Sequence, residues 1–134
     1  MTYPQGRVLL GGAIQLCAPG SVLGLAEGIE TALAVHLATG MPVWSTVSAM
    51  LLERFEPPVG VRRVVIWADR DRSGTGQEAA ERLRERLLWR GLPAVIHLPP
   101  GPLPAAARGV DWADAWLADG AARFPLQRRT GLAA

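Results

Sequence analysis

Two aspartates separated by a single residue follow the most apolar run of the sequence. They are Asp69 and Asp71, in the segment VVIWADRDRSGTG of residues 64–76. If the chain stays extended here, both side chains lie on one side, where their oxygens suit a hard cation such as Mg²⁺. Asp and Ser also cap helices, so Asp71 or Ser73 could simply start the helix that follows. The pair alone leaves both interpretations open.

Further acidic residues occupy comparable places in the chain. Glu27 ends the apolar run VLGLAEG, and Asp111 and Asp114 lie in VDWADAW after a proline-rich loop. Because the carboxyl ends of parallel strands share one edge of a sheet, these acids and the aspartate pair are expected to converge on one site. Helix capping is again the alternative for Asp111. Glu30 is either an additional ligand or an acid in the first turn of a helix.

Residues around the aspartate pair could hold a phosphate group. Gly74 and Gly76 permit a tight turn, and the helix that follows offers free backbone N–H groups at its start. Arg70 and Arg72 flank the acids, and a guanidinium group can bind two phosphate oxygens at once. We therefore expect phosphate or nucleic-acid contacts from Arg70, Arg72 and Gly74.

Other arginines are further candidates for contacts with a nucleic-acid backbone. Arg62 and Arg63 precede the strand of the aspartate pair, and four more arginines lie within residues 82–90. Such contacts would give a salt-dependent affinity. For the arginines of the helix, the alternative is a solvated face with ion pairs, such as Glu78 with Arg82 four residues later.

Strand-like and helix-like segments alternate along the chain. Strands are predicted in VLGLAEG, MPVWSTVS, RRVVIWAD and LPAVIHLPP. The clearest helix is SGTGQEAAERLRERLLWRG, in which Ala80, Leu83 and Leu87 form one apolar stripe. The alternation predicts an α/β fold with a mainly parallel four-stranded sheet and helices on both faces. A short N-terminal β-hairpin is predicted within residues 6–16, around a Gly-Gly turn.

Length and composition limit the chemistry. The 134 residues predict one domain, with a core over about residues 8–119 and a tail over residues 120–134. Cys17 is the only cysteine and there are two histidines, which excludes a multi-cysteine zinc site. All 14 basic residues are arginine, so no lysine can take part in catalysis. Without a long apolar stretch or a secretory signal, the chain is expected to be cytoplasmic, with no membrane partner.

Three segments, taken together, resemble one protein family. AEGIETALA, ADRDRSG and VDWAD, in this order, resemble the Toprim domain of bacterial-type primases, type IA and type II topoisomerases and several nucleases. The resemblance is closest to the Toprim domains of phage and plasmid primase–helicase-like proteins and covers about residues 8–119. It implies a three-layer, Rossmann-like fold. Val110 and Ala113 stand where the family often has the lysine and asparagine of KDWND.

The resemblance implies a role for each matching acid. Glu27 would be the catalytic glutamate, acting as general acid or base and also as a metal ligand. Asp69 and Asp71 would bind Mg²⁺, or Mn²⁺ in its place, and Asp111 and Asp114 would complete the metal site. The implied activity is Mg²⁺-dependent phosphoryl or nucleotidyl transfer on nucleic acid, as in a primase.

The resemblance also implies partners and leaves two alternatives. Nucleotides and nucleic acid, single-stranded DNA in the first place, would be bound, and zinc-binding or helicase domains are the expected partner domains. The alternatives are a Toprim-type nuclease, or a module that binds metal and nucleic acid but turns over only with partner domains. Haloacid-dehalogenase-type phosphatases and receiver domains also carry a strand-end aspartate, but they generally use a lysine. The only tyrosine, Tyr3, is poorly placed for a topoisomerase nucleophile.

Overall fold

Short apolar segments form the central sheet of the computed structural model, which describes residues 13–99, 109–110, 112–120 and 124–125. The strands of this sheet are β1 (Val22–Ala26), β2 (Val43–Ser45), β3 (Arg63–Trp67) and β5 (Ala94–His97). They lie in the order β2-β1-β3-β5, and every neighbouring pair is parallel. The predicted parallel four-stranded sheet is therefore confirmed.

Helices cover both faces of this sheet. They are α1 (Ile29–Thr39), α2 (Ala49–Glu53), α3 (Thr75–Trp89) and α4 (Trp112–Asp119). Successive side chains of a strand point to opposite faces. Val64 and Ile66 of β3 accordingly pack with α2 and α3, whereas Val65 and Trp67 pack with α1 and α4. The α/β fold with helices on both faces is confirmed. Within the described part of the chain, no helix is long and apolar enough to cross a membrane.

A second, very small ladder ties the aspartate segment to the chain before α4. Strand β4 (Arg70–Asp71) pairs antiparallel with β6 (Gly109–Val110), so that Arg70 lies opposite Val110 and Asp71 lies opposite Gly109. This ladder was not predicted from the sequence, because a strand of two residues carries no periodicity. The ladder therefore joins the segment before β5 to the segment after it, close to the end of β3.

The predicted N-terminal hairpin lies mostly outside the described residues. From its second arm, Ile14 forms an isolated antiparallel bridge with Ser45 at the end of β2. The N–H of Ile14 donates to the carbonyl of Ser45 at 2.7 Å, and the N–H of Ser45 donates back at 3.2 Å. The indole N–H of Trp44 also donates to the carbonyl of Cys17 at 2.8 Å. The described part of this arm therefore lies along β2.

Arginines of α3 hold the end of α2 in place. Arg86 donates to the carbonyls of Glu53 and Phe55, each at 2.7 Å, and to the carboxylate of Glu56 at 2.9 Å. Carbonyls at a helix C-terminus have no partner within the helix, so Arg86 supplies one. Two further arginines of α3 pair with acids of the α2 segment: Arg82 and Arg90. For these three, the structure supports the ion-paired alternative.

We expect Arg86→Ala to lower the free energy of unfolding by about 1.5–3 kcal/mol, because two carbonyls and a carboxylate lose a charged donor. The matched control is Arg82→Ala, which removes an exposed pair with Glu53 and should cost less than about 1 kcal/mol. Urea unfolding of the two variants measures the difference. Equal losses would contradict a special structural role for Arg86.

Candidate active site

The neighbouring strands β1 and β3 bring distant acids to one edge of the sheet. Ala26, the last residue of β1, lies opposite Trp67, the last residue of β3. Glu27 therefore leaves the sheet beside the segment that carries the aspartate pair. Glu27, Asp69 and Asp71 are all half-buried. This is the carboxyl edge of a parallel sheet, where ligands bind in open α/β folds.

The loop after β2 fixes the main chain of Glu27. The N–H of Val47 donates to the Glu27 carbonyl at 2.7 Å, and the hydroxyl of Ser45 donates to the same oxygen at 2.8 Å. The N–H of Thr46 bonds the carbonyl of Ala26 at 2.9 Å. Val47 has a φ of 74°, which is strained for a β-branched residue. Such strain is often stored at functional sites, and here it lies next to Glu27.

Asp71 shapes the turn that leads into α3. Its Oδ1 accepts a hydrogen bond from the N–H of Gly74 at 2.7 Å and from the hydroxyl of Ser73 at 2.8 Å. Gly74 precedes the helix with a φ of 73°, a conformation that glycine adopts without strain. The structural role of Asp71 thus uses Oδ1. Both of these hydrogen bonds are made to Oδ1, and Oδ2 is the second oxygen of the same carboxylate.

The second oxygen of Asp71 and the carboxylate of Glu27 converge over Gly76. A Cβ atom built on Gly76 would lie 3.4 Å from Glu27 Oε1 and 3.8 Å from Asp71 Oδ2. Burial raises the pKa of Glu27 above its ordinary value of 4.5, and the negative charge of Asp71 raises it further. Two converging carboxylates over a bare Cα fit Mg²⁺ or Mn²⁺, since Mg²⁺ usually takes one or two protein carboxylates and keeps waters.

Asp69 has a different neighbour from Asp71. Its Oδ1 accepts a hydrogen bond, 3.5 Å long, from the hydroxyl of Thr31 in the first turn of α1. Thr31 is only 2% exposed, so its hydroxyl is buried against Asp69. Thr31 was not among the site residues predicted from the sequence, where its only signal was a polar residue at the start of the apolar run TALAV. The aspartate pair is therefore held between the starts of two helices, α1 and α3.

The last acidic segment is described only in part. Asp111 lies outside the described residues, and Asp114 is exposed in the first turn of α4. This helix begins beside β3, because the indole N–H of Trp112 donates to the carbonyl of Ala68 at 3.1 Å. Among the described residues, no three acidic, histidine or cysteine side chains are close enough to share one metal ion. What the structure brings together is the pair of Glu27 and Asp71.

A comparison of the chain with models of known protein families identifies its family. The family model described as "Toprim domain" matches residues 22–122, from β1 to beyond α4. The chain belongs to the Toprim domain family. Toprim domains are metal-binding domains of nucleic-acid-processing proteins, including primases, nucleases and topoisomerases, and they generally bind Mg²⁺ through acidic residues. No curated protein and no solved structure gives a significant match to the chain.

The expected phosphate contacts of this Toprim domain lie around the acids. Arg70 is half-buried and donates to the carbonyl of Pro99 at 3.4 Å, whereas Arg72 is exposed. The N–H of Gly74 already donates to Asp71, so a phosphate at that position would have to compete with this hydrogen bond. Contact with a phosphate stays a prediction for all three residues.

Other arginines of the Toprim domain lie away from its acidic edge. Arg63 begins β3, at the opposite end of the strand from Asp69, and Arg62 comes just before it. The backbone N–H groups of both arginines donate to the carbonyl of Ser21, which precedes β1. A nucleic-acid strand bound at the acids would have to pass along the full length of β3 to reach them. They are thus poor candidates for contacts close to the reacting phosphate.

Proposed function

We propose that this Toprim domain catalyses Mg²⁺-dependent phosphoryl or nucleotidyl transfer on nucleic acid, in the manner of a primase. The observation that carries the proposal is the convergence of Glu27 Oε1 and Asp71 Oδ2 over Gly76 at the carboxyl edge of the sheet. A carboxylate pair of this kind is costly without a cation, as the raised pKa of Glu27 indicates. The pair is thus prepared for a positive charge.

The residues of the site divide the work. Glu27 and Asp71 would hold the metal ion between them. Asp69 and Asp114 are not close enough to share it directly with this pair and would act through its bound waters, and Asp111 stays a predicted ligand. Bound Mg²⁺, or Mn²⁺ in its place, supplies positive charge that stabilises the transferring phosphate. Arg70 and Arg72 would orient phosphate oxygens, and the N–H of Gly74 would join them only by giving up its hydrogen bond to Asp71.

Glu27 also moves a proton. Its carboxylate accepts the proton of the attacking hydroxyl group, or returns one to the leaving oxygen. The end of β2 and the loop after it fix the main chain of Glu27 through Ser45 and Val47, which sets the point from which its side chain leaves the backbone.

Nucleotides and single-stranded DNA are the proposed substrates, and zinc-binding or helicase domains are the proposed partners. The support for a primase over the other Toprim classes is the resemblance of AEGIETALA, ADRDRSG and VDWAD to primase–helicase-like proteins. A nuclease would use the same residues with water as the attacking group. A module without turnover would bind the same ligands.

One set of assays separates these outcomes. The chain is tested for nucleotide incorporation on single-stranded DNA and for DNA cleavage, with Mg²⁺, with Mn²⁺ and with a chelator, alongside Glu27→Gln and Asp69→Asn. Metal-dependent incorporation that both substitutions abolish is the expected result. Cleavage without incorporation would indicate a nuclease, and metal binding without either reaction a non-catalytic module. Activity that neither substitution changes would exclude the assigned site.

A further inference from the structure

Gly76 is a glycine whose backbone does not require one. It is the second residue of α3, it is buried, and its φ lies outside the left-handed region. Glycine at such a position destabilises a helix relative to alanine, because it loses more backbone freedom on folding. Gly74, two residues earlier, differs in this respect, because its φ of 73° favours glycine. Gly76 therefore needs another explanation.

Close packing does not supply that explanation. At Gly24 of β1, an added Cβ would lie 2.9 Å from a methyl carbon of Val43, so glycine is needed there for contact between strands. At Gly76, the described atoms that an added Cβ would meet within 4 Å are two carboxylate oxygens, Glu27 Oε1 and Asp71 Oδ2. Both distances are in the range of ordinary contacts. The fold can therefore accept a methyl group at Gly76.

The space above Gly76 borders both carboxylates, since each has an oxygen within 4 Å of an added Cβ. They come from the ends of two different strands, and the oxygen that Asp71 turns to Gly76 is not the one that holds the Gly74 turn. Mg²⁺ requires nearly octahedral geometry and keeps several waters, so it needs room beside its carboxylate ligands. A methyl group in van der Waals contact with both oxygens would take that room.

We propose that Gly76 is part of the metal site: it keeps the space beside the carboxylates of Glu27 and Asp71 open for a hydrated divalent cation. This inference rests on the proposed function, because it assumes that these carboxylates hold Mg²⁺. The helix accepts a residue of low helix propensity at this position because the cation needs the space. Alanine at position 76 fills that space while leaving both carboxylates and the α3 turn in place.

The test separates folding from metal binding. Gly76→Ala is expected to keep or raise the metal-free Tm, by up to about 5 °C, because alanine is the better helix former. Its Mg²⁺ affinity, measured by calorimetric titration, should fall about 10- to 100-fold, the loss typical of changes around a metal's ligands. The rise in Tm that Mg²⁺ gives the wild type should shrink accordingly.

Gly28→Ala is the matched control, since it makes the same chemical change next to Glu27. An added Cβ at Gly28 meets no described atom within 4 Å, so Mg²⁺ affinity should be retained. Gly76→Ala that binds Mg²⁺ as tightly as the wild type would overturn the inference. So would a strong loss of metal-free stability, since packing would then explain the glycine. A wild type that binds no Mg²⁺ would instead remove the proposed function, and the inference with it.

Discussion

Replacing Glu27 with glutamine is expected to abolish turnover and to make the metal-free protein more stable. The loss of activity follows from the proposed proton transfer, since a positioned general acid or base typically contributes about 10²- to 10⁴-fold to a rate. The gain in stability follows from the position of the carboxylate, which is half-buried and faces Asp71 over Gly76. Glutamine has a similar shape and no charge, so it removes both the cost of burying a charged carboxylate and its repulsion by Asp71.

The pH dependence of this gain has a definite sign. The pKa of Glu27 is raised in the folded protein above its ordinary value of 4.5, through burial first and the charge of Asp71 second. Below about pH 4.5 the carboxyl group is protonated in both the folded and the unfolded chain, and its ionisation costs the fold nothing. As the pH rises, the carboxyl group of Glu27 ionises in the unfolded chain before it ionises in the folded protein. The stability contributed by the neutral carboxyl group is therefore lost as the pH rises through the folded-state pKa.

Thermal unfolding with a chelator present at pH 4 and pH 8 measures this effect. Glu27→Gln should raise Tm by about 2–5 °C at pH 8 and leave it nearly unchanged at pH 4. The control Glu85→Gln removes an exposed carboxylate in the middle of α3 and should change stability by less than about 0.5 kcal/mol at either pH. Equal Tm values for Glu27→Gln and the wild type at pH 8 would show that the carboxylate carries no such cost.

The sequence predicted the arrangement of the fold better than the contacts of its acids. Alternating apolar runs and helices determine a parallel sheet, and a parallel sheet gathers the residues after its strands at one edge. That reasoning was enough to bring Glu27 to the same edge as the aspartate pair. It could not determine which oxygens would face each other, because this depends on how α3 lies against the end of β1.

The contacts of the two aspartates show where the sequence was insufficient. Their spacing predicted two side chains on one side of an extended chain. In the structure, Asp69 contacts Thr31 of α1, whereas Asp71 turns one oxygen to its own turn and has the other near Gly76. Thr31 and Gly76 gave no clear signal, because their importance comes from residues far away in the sequence.

Asp71 shapes the turn before α3 without capping the helix, because the N-cap of α3 is Gly74 and has no side-chain cap hydrogen bond. This turn role does not exclude the predicted role of Asp71 as a metal ligand. Its Oδ1 accepts hydrogen bonds from Gly74 and Ser73, as an acid that shapes the start of a helix does. Its Oδ2 faces Gly76, near the Glu27 carboxylate. One side chain can serve both purposes because a carboxylate has two oxygens. The two roles should therefore be separable by substitutions that keep one oxygen or neither.

We expect Asp71→Asn to lose metal binding while keeping the fold, and Asp71→Ala to lose both metal binding and some stability. Asparagine retains an oxygen that can accept from Gly74, whereas alanine removes it and should lower the free energy of unfolding by about 1 kcal/mol, the typical worth of a hydrogen bond. Both variants lack the charged oxygen above Gly76, so both should lose at least about 100-fold in Mg²⁺ affinity, the upper end of what outer-shell changes cost. Urea unfolding with a chelator and calorimetric titration with Mg²⁺ measure the two effects. Metal binding that survives in Asp71→Asn would exclude Asp71 as a ligand.

The predictions for Asp71 and Glu27 are also coupled. Part of the cost of ionised Glu27 is its repulsion by Asp71, so Asp71→Asn should reduce that cost and leave mainly the burial of Glu27. In the metal-free protein at pH 8, Glu27→Gln should therefore stabilise the Asp71→Asn background less than it stabilises the wild type. Such a double-mutant cycle measures the interaction between the two carboxylates. Additive changes would contradict their approach over Gly76, whereas a smaller gain in the double variant is what a site prepared for a cation requires.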